Sequence, residues 1–152
     1  PNGLVVAAIV AVNAVGDIID PDTGRTVAGV RNADNTLADA RTLVRSGSTL
    51  PSPRPGANTT IGVVATNATL TKAQAARVAL MADDGFARAL YPSHTIGDGD
   101  TIFALGTGRW TGTVDASAIG ALAADVVAKA IVRAGTQATS VAGIPAARDL
   151  EK

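Results

Sequence analysis

The 152-residue sequence contains no cysteine and a single histidine. The lack of cysteine excludes a disulfide, a zinc-thiolate site and a thiol nucleophile within these residues. A metal site would have to be built from oxygen ligands, because the sequence offers only one imidazole. Aromatic residues make up 3% of the sequence, so a core has to be packed from small side chains. Such a core favours helices that lie closely on a sheet.

The sequence also lacks an excess of charge of either sign. Its 13 basic and 13 acidic residues leave no formal net charge. This argues against a non-specific nucleic-acid-binding protein, because such proteins need a basic surface. The apolar run at residues 4–12 is too short to span a bilayer, and it has neither the basic flank nor the cleavage site of a signal peptide. We therefore expect a cytoplasmic protein with neither nucleic acid nor membrane as a partner.

Patterns typical of strands and helices alternate along the chain, of which 47% is apolar. Strands are predicted by β-branched or alanine-rich runs at residues 4–13, 59–66 and 101–105, the first of them buried on both faces. Helices are predicted at residues 36–45, 72–90 and 115–134, the last of them heavily buried. The second helix begins at a capping box formed by Thr71 and Gln74, and residues 135–152 are predicted to be a loop and tail. The alternation predicts a layered α/β fold in a single domain.

A proline-rich segment precedes the second predicted strand. Residues 46–57 contain three prolines, two glycines and three serines, so they continue neither a helix nor a central strand. We interpret residues 46–58 as an exposed linker, the kind of segment where chains are cut. Cleavage between Asn58 and Thr59 would give Thr59 a free α-amine that serves as the base for its own hydroxyl. The alternative is a strand that begins with two threonines, and the spacing alone favours it.

Three more polar residues stand beside predicted strands. Asp98 and Asp100 flank a glycine just before residues 101–105, and such a pair can hold a nucleophile and its base in register. The alternative for this pair is a surface turn. Asn13 ends an apolar strand, where its amide can either stabilise an oxyanion or bond to a turn. Taken alone, each of these patterns favours the structural alternative.

The sequence gives less reason to assign a chemical role to the remaining candidate residues. His94 lies in the loop before the acidic pair, and we interpret it as structural or peripheral. The turn Gly106-Thr-Gly108 is not followed by the Gly-Lys-Thr/Ser of a phosphate-binding loop. A small-ligand-binding domain that uses this turn is a further hypothesis. Trp110 either lines a pocket or covers the sheet.

Several separated segments together resemble one known family. They are VVAAIVAVNAVGDIIDPDTG (5–24), NTTIGVVATNATLTKAQAARVALMADDGFARALYPSHTIGDGDTIFALGTG (58–108) and AGIPAARDL (142–150). In this order they are similar to the L-aminopeptidase/D-esterase family, also called the DmpA-like or β-peptidyl aminopeptidase family, which includes nylon-oligomer hydrolases. The resemblance covers nearly the whole chain and is weakest in the linker.

The resemblance implies a self-processing hydrolase of the N-terminal nucleophile type. It implies that the precursor cuts itself between Asn58 and Thr59, and that Thr59 becomes the nucleophile of the smaller piece. The pair that orients the nucleophile and its amine then falls on Asp98 and Asp100, and the oxyanion-stabilising asparagine falls on Asn13. The implied substrates are peptides, amides and esters with a free amino end, including β-peptides and short nylon oligomers. The implied assembly is a homo-oligomer that needs no cofactor or metal.

The sequence departs from the family in one respect. Family members carry a substantial region before the strand that matches residues 4–13, and this region contributes further strands, part of the pocket and a lysine or tyrosine near the nucleophile. Neither Lys72 nor Lys129 matches that residue. We therefore interpret residues 1–152 as the C-terminal part of a larger domain with a layered α/β sandwich. A non-catalytic fragment or oligomerising module of the same family is the alternative hypothesis.

Overall fold

The structure is a computed structural model, and it describes residues 3–50 and 58–150. Strands and helices alternate along these residues. The strands are β1 (Val6–Ala11), β2 (Asp17–Ile19), β3 (Thr26–Ala28), β4 (Ile61–Thr66), β5 (Leu90–Tyr91) and β6 (Thr101–Gly106). The helices are α1 (Ala40–Arg45), α2 (Lys72–Ala89), α3 (Ala116–Gln137) and α4 (Ala147–Leu150). The α/β class predicted from the sequence is confirmed. Most of the predicted linker, residues 51–57, lies outside the described residues.

The strands form two small sheets, and the larger one has the order β1-β4-β6. β1 and β4 run antiparallel with Ala11 opposite Ile61, whereas β4 and β6 run parallel with Ile61 opposite Thr101. The end of β1 and the starts of β4 and β6 therefore meet at one end of the sheet. The smaller sheet has the order β3-β2-β5. It forms where the chain bends away after β1.

The first strand is not buried on both faces, so that prediction is wrong. β1 is an edge strand whose residues alternate between partly buried and exposed. Val6, Ala8 and Val10 pack against the core beneath α3, whereas Ile9 is 74% exposed. The reason is that, among the described residues, the long helices cover only one face of this sheet.

The other face of the larger sheet is apolar, and we call it the open sheet face. It carries Ile9 of β1, Ile61 of β4, and Phe103 and Leu105 of β6. Each of these side chains is between 46% and 74% exposed. A contiguous exposed apolar surface of this kind is typical of a face that packs against another part of a protein or a partner.

The helix α2 begins where its sequence predicts. Thr71 accepts a hydrogen bond from the Gln74 N–H at 3.2 Å, and the Gln74 side chain accepts one from the Thr71 N–H at 2.9 Å. Both bonds satisfy amides that the first turn of a helix leaves without partners. The helix ends at Ala89, because Leu90–Tyr91 leaves it to pair with β2. The long α2 thus carries the chain from β4 to the parallel strand β6.

The two long helices pack closely on each other over the sheet. A Cβ atom at Gly85 would lie 2.6 Å from the Ala124 carbonyl oxygen, so α2 and α3 approach more closely there than any larger residue allows. The core between the helices and the sheet contains Val64, Val78, Phe86, Ile119, Val127 and Ile131. Leu122 of α3 is 44% exposed, so this helix is less completely buried than predicted. No helix of the described residues is long and apolar enough to span a bilayer.

Several elements differ from the sequence prediction. β1 (Val6–Ala11) is shorter than the predicted 4–13, and β4 begins at Ile61 rather than at residue 59. α1 begins at Ala40 rather than at residue 36, because Asp39 caps it and residues 31–37 form a turn closed by a bridge between Arg31 and Leu37. α3 continues past residue 134 to Gln137, and a Cβ atom at Gly135 in this extension would lie 3.1 Å from the Ile18 side chain. The tail contains the short helix α4, which the sequence analysis assigned to a loop.

Candidate active site

Thr59 lies between the predicted linker and β4, at the end of the sheet where three segments meet. Its side-chain hydroxyl donates a hydrogen bond to the Asn58 carbonyl oxygen at 2.7 Å. Asn58 is buried, with 7% of its surface exposed. The hydroxyl therefore sits against the carbonyl group of the peptide bond that the sequence analysis marked as the cleavage junction.

The acidic pair lies directly beside this junction. The Thr60 N–H donates to Asp100 Oδ1 at 2.5 Å, which ties the start of β6 to the residue after Thr59. Burial raises the pKa of the Asp100 carboxyl above its ordinary value, and the adjacent Asp98 carboxylate adds to the rise. The hydrogen bonds from Thr60 act on this pKa in the opposite direction. A carboxylate whose pKa is raised by burial and a like charge is typical of a site that handles protons.

Gly99 separates the two aspartates and contacts the Thr59 side chain. A Cβ atom at this position would lie 2.6 Å from Thr59 Oγ1, which is closer than real Cβ contacts occur. The Thr101 hydroxyl donates to the Gly99 carbonyl oxygen at 3.1 Å and helps to fix the loop. The backbone of this loop therefore forms one wall of the space around the Thr59 hydroxyl, and only glycine leaves that space open.

Asn13 follows β1 and reaches the same end of the sheet. Its backbone N–H donates to Thr60 Oγ1 over a long distance of 3.4 Å. Asn13 and Asn58 also line one cavity of about 500 Å³. The other walls of this cavity are mostly aliphatic, formed by residues that follow β1 and β3, with Arg31 as a charged residue. The cavity lies on the Asn58 side of the junction, which is the acyl side of the bond.

The structure brings together all the residues that the sequence analysis selected for the site. Asn58 and Thr59 are adjacent, and the Thr59 hydroxyl bonds to the Asn58 carbonyl oxygen. Asp100 accepts from the Thr60 N–H, and the Asp98 carboxylate raises the pKa of Asp100. The N–H of Asn13, just after β1, donates to the Thr60 hydroxyl oxygen. Their catalytic roles stay predictions. The reason for their proximity is topological, because antiparallel and parallel pairing place the end of β1 and the starts of β4 and β6 side by side.

Sequence reasoning missed the contributions of Thr60 and Asp17. Thr60 was interpreted only as a strand residue, but it is fully buried and bonds to both neighbouring segments. Asp17 is also fully buried, and its carboxylate accepts from the Val30 N–H at 2.9 Å and the Ala40 N–H at 2.7 Å. These bonds hold the segment after β3, which lines the cavity beside Asn58. The signal for Asp17 was a lone carboxylate in an apolar stretch.

The other sequence candidates lie apart from the site. His94 Nδ1 is 3.6 Å from Asp83 Oδ2 on α2, and the histidine is exposed. Gly106 ends β6 at the opposite end of the sheet, where a Cβ atom would lie 2.5 Å from the Ala68 carbonyl oxygen. Close packing thus accounts for the first glycine of that turn. Trp110 is half-buried and packs against the core cluster.

No group of three or more metal-ligating side chains within residues 3–50 and 58–150 could hold a metal ion. The acidic pair alone offers two carboxyl groups. That no cofactor or metal takes part stays a prediction.

The sequence of the whole chain settles the family. Residues 1–148 match the sequence model of peptidase family S58. The chain belongs to peptidase family S58. The resemblance to the DmpA-like and nylon-oligomer hydrolase family, drawn from the motifs at residues 5–24 and 58–108, is thereby confirmed. Membership of family S58 also implies a fold of the N-terminal nucleophile hydrolase type, with which the mixed α/β architecture agrees.

Relatives of this S58 chain include two groups of named proteins. An uncharacterized aminopeptidase of Mycobacterium leprae is 40% identical over 95% of this chain and 44% of the relative. An uncharacterized aminopeptidase of Mycobacterium tuberculosis is 38% identical over 98% of this chain and 48% of the relative. A 6-aminohexanoate-oligomer endohydrolase of Paenarthrobacter ureafaciens is 30% identical over 86% of this chain and 40% of the relative. The chain spans less than half the length of the curated relatives it matches.

Proposed function

We propose that this chain is a self-processing amide hydrolase whose nucleophile is Thr59. The observation that carries the proposal is the 2.7 Å hydrogen bond from the Thr59 hydroxyl to the Asn58 carbonyl oxygen. A hydroxyl held against the carbonyl of its own peptide bond is suited to an intramolecular attack, because the reacting groups are already close. Family S58 membership supports the same reaction class.

The first reaction is the cleavage of the chain itself. Thr59 Oγ bonds to the Asn58 carbonyl carbon, the bond from that carbon to the Thr59 nitrogen breaks, and the nitrogen takes the hydroxyl proton. Water then hydrolyses the ester, which leaves a carboxylate on Asn58 and restores the hydroxyl. The products are residues 1–58 and residues 59–152, the second with a free α-amine on Thr59.

The second reaction is the hydrolysis of a substrate by the new N-terminus. Thr59 Oγ attacks the acyl carbon, and the α-amine takes the hydroxyl proton and passes it to the leaving group. Asn13 donates to the oxyanion that develops on the acyl oxygen, and Asp98 with Asp100 orients the protonated amine. Water releases the acyl group from the ester and returns the enzyme to its starting state.

The proposed substrates are small peptides, amides or esters with a free amino end. Two kinds of relatives support this class, since their names are aminopeptidase and 6-aminohexanoate-oligomer endohydrolase. The substrate's acyl group bonds to the same Oγ as Asn58 does during self-cleavage. We therefore propose that it occupies the largely aliphatic cavity beside Asn13 and Asn58.

The experiment that tests the proposal compares Thr59→Ala with Thr59→Ser. On a denaturing gel, the parent chain is expected to give two bands and Thr59→Ala a single uncut band. Thr59→Ser keeps a hydroxyl and is expected to restore the cut. If Thr59→Ala is processed like the parent, the assignment of the junction and the nucleophile is wrong.

A second candidate function rests on the open sheet face. Four large apolar side chains, Ile9, Ile61, Phe103 and Leu105, are exposed there on neighbouring strands. The relatives are more than twice as long as the segments that match this chain. We infer that the open sheet face packs against the part of the longer relatives that this chain does not match. That packing would complete the α/β sandwich. On its own, the chain would then be an inactive module that becomes competent when this part binds.

Two further sequence-based expectations stay proposals. They are the assembly into a homo-oligomer and the cytoplasmic location. Fractionation of cells tests the location, and light scattering of the purified protein tests the oligomeric state.

A further inference from the structure

Asp17 of β2 carries a fully buried carboxylate that the proposed mechanism does not use. Its Oδ1 atom accepts from the Val30 N–H at 2.9 Å, and its Oδ2 atom accepts from the Ala40 N–H at 2.7 Å. Val30 follows β3, and Ala40 is the first residue of α1. One side chain therefore ties β2 to both ends of the segment that connects β3 with α1.

The start of that segment packs directly on the Asp17 carboxylate. A Cβ atom at Gly29 would lie 1.9 Å from Asp17 Oδ1 and 2.8 Å from the Asp17 Cα atom, so only glycine allows this approach. The Val30 carbonyl oxygen also accepts from the Ala38 N–H at 2.9 Å. Both backbone polar groups of Val30 are thus bonded, and its position is fixed from two sides.

These bonds join two walls of the cavity beside the junction. Residues 28–31, which we call the β3 wall, line this cavity together with Asn58. Gly16 and Ile18, the two chain neighbours of Asp17, line it as well. Asp17 itself is not among the described residues that line the cavity. Its carboxylate therefore holds the β3 wall to the wall that follows β1 without reaching the cavity surface.

We propose that Asp17 is a positioning residue that sets which acyl groups fit the cavity beside Asn58. This inference rests on the proposed function, because it takes this cavity as the site of the substrate's acyl group. Asp17 touches neither the substrate nor Thr59 in this scheme. Walls that are held at a fixed separation reject acyl groups that are too large, whereas a loosely held wall adapts to them. The effect of Asp17 is therefore on selectivity between substrates.

Asp17→Asn tests the inference with little change in side-chain size. An asparagine side chain has one carbonyl oxygen and one NH₂ group, and the NH₂ group cannot accept from a backbone N–H. One of the bonds from Val30 and Ala40 is therefore lost, because each of them uses a different oxygen of Asp17. The β3 wall is then held less firmly.

Asp115→Asn is the matched control, because it makes the same chemical change without the loss of a bond. Asp115 accepts from the backbone N–H groups of Ser117 at 2.9 Å and Ala118 at 3.1 Å, and both bonds go to its Oδ1 atom. The single carbonyl oxygen of asparagine can keep both. Asp115 lies at the start of α3 and, among the described residues, is not one that lines the cavity.

The assay measures kcat/KM for alanine p-nitroanilide and leucine p-nitroanilide, together with the self-cleavage rate and the Tm of each variant. An apolar pocket discriminates between groups that differ by one methylene about 10- to 200-fold, so Asp17→Asn is expected to shift the ratio of the two kcat/KM values at least about tenfold toward leucine. Its self-cleavage should stay near the parent's rate, since Asn58 is already joined to Thr59 and does not have to be selected. Asp115→Asn should keep the parent's ratio. A general loss of stability would lower both kcat/KM values and leave their ratio unchanged.

Val30→Ala keeps the inference testable if Asp17→Asn does not fold. It leaves the backbone bonds of Val30 in place, shortens a side chain of the β3 wall, and is expected to shift the ratio in the same direction. The inference is wrong if a folded Asp17→Asn keeps the parent's ratio, or if Val30→Ala does not shift it. A parent chain that is cut and hydrolyses both anilides, with a ratio that neither variant changes, overturns this inference alone. A parent chain that stays uncut, or that hydrolyses neither anilide, overturns the proposed function and this inference with it.

Discussion

Gly99→Ala adds one carbon atom beside the Thr59 hydroxyl and so tests the geometry around that hydroxyl. The added Cβ would lie 2.6 Å from Thr59 Oγ1 but 3.6 Å from the Cβ and Cγ2 atoms of the same threonine. Only the hydroxyl is therefore too close, because 3.4 Å is the lower limit of ordinary contact. The clash is relieved most easily by rotation of the Thr59 side chain, which moves the hydroxyl away from the Asn58 carbonyl.

The expected size of the effect follows from this displacement. The hydroxyl has to move from 2.6 Å to at least 3.4 Å from the new carbon, which is a shift close to one ångström. A misplacement of about 1 Å in a reacting group costs roughly a hundredfold in rate. Stability should change little, since the atom that moves is the end of a side chain and Gly99 does not have a positive φ.

The assay is the time course of self-cleavage, followed by denaturing gel and intact mass, together with a thermal unfolding scan. Gly97→Ala is the matched control, because it lies in the same loop and its added Cβ has no atom within 4 Å. Gly99→Ala is expected to cleave about a hundredfold more slowly at a nearly unchanged Tm, and Gly97→Ala to behave like the parent. The reasoning is refuted if Gly99→Ala cleaves at the parent's rate, or if both variants lose activity together.

Two further predictions concern charge and assembly. Because the pKa of Asp100 is raised in the folded state, its contribution to stability is present below the unfolded pKa and is lost as pH rises through the folded pKa. Asp100→Asn stays neutral at every pH, so thermal scans at pH 7 should give it a Tm no lower than the parent's, and the Tm difference should narrow below about pH 4. Cleavage by Asp100→Asn is expected to slow at least about a hundredfold. A clearly lower Tm of Asp100→Asn at pH 7 would contradict the predicted direction of the stability change. Size-exclusion chromatography is expected to show a complex between this chain and the unmatched part of the Mycobacterium leprae relative, and Ile9→Lys is expected to abolish this complex. Leu80→Lys on α2, which also adds a charge at an exposed leucine, should keep it. A complex that Ile9→Lys does not weaken would exclude the open sheet face as the binding surface.

The elements with strong local signals were predictable from the sequence. The capping box at Thr71 and Gln74 fixes the start of α2, and the β-branched runs mark β1, β4 and β6. Short elements were not predictable, because β3 and β5 depend on pairing with β2 rather than on their own composition. The burial of β1 was predicted wrongly, since an apolar strand has the same pattern whether or not its second face is covered.

The members of the candidate site were predictable, but their support was not. Thr59 and the Asp98–Asp100 pair stand out by residue type and by resemblance to the family. The positions of Thr60 and Gly99 depend on strand register and on close contact across the loop, and neither leaves a pattern in one sequence. The long separation between Asn13 and Thr60 along the chain likewise hides a contact that only the antiparallel pairing of β1 and β4 creates.

The intact mass of the purified chain, with the N-terminal residue of each piece, tests the central claim most directly. The account predicts two pieces, residues 1–58 and residues 59–152, and a free threonine at the start of the second. A cut at any other bond, or a purified chain that stays whole from residue 1 to residue 152, would contradict it.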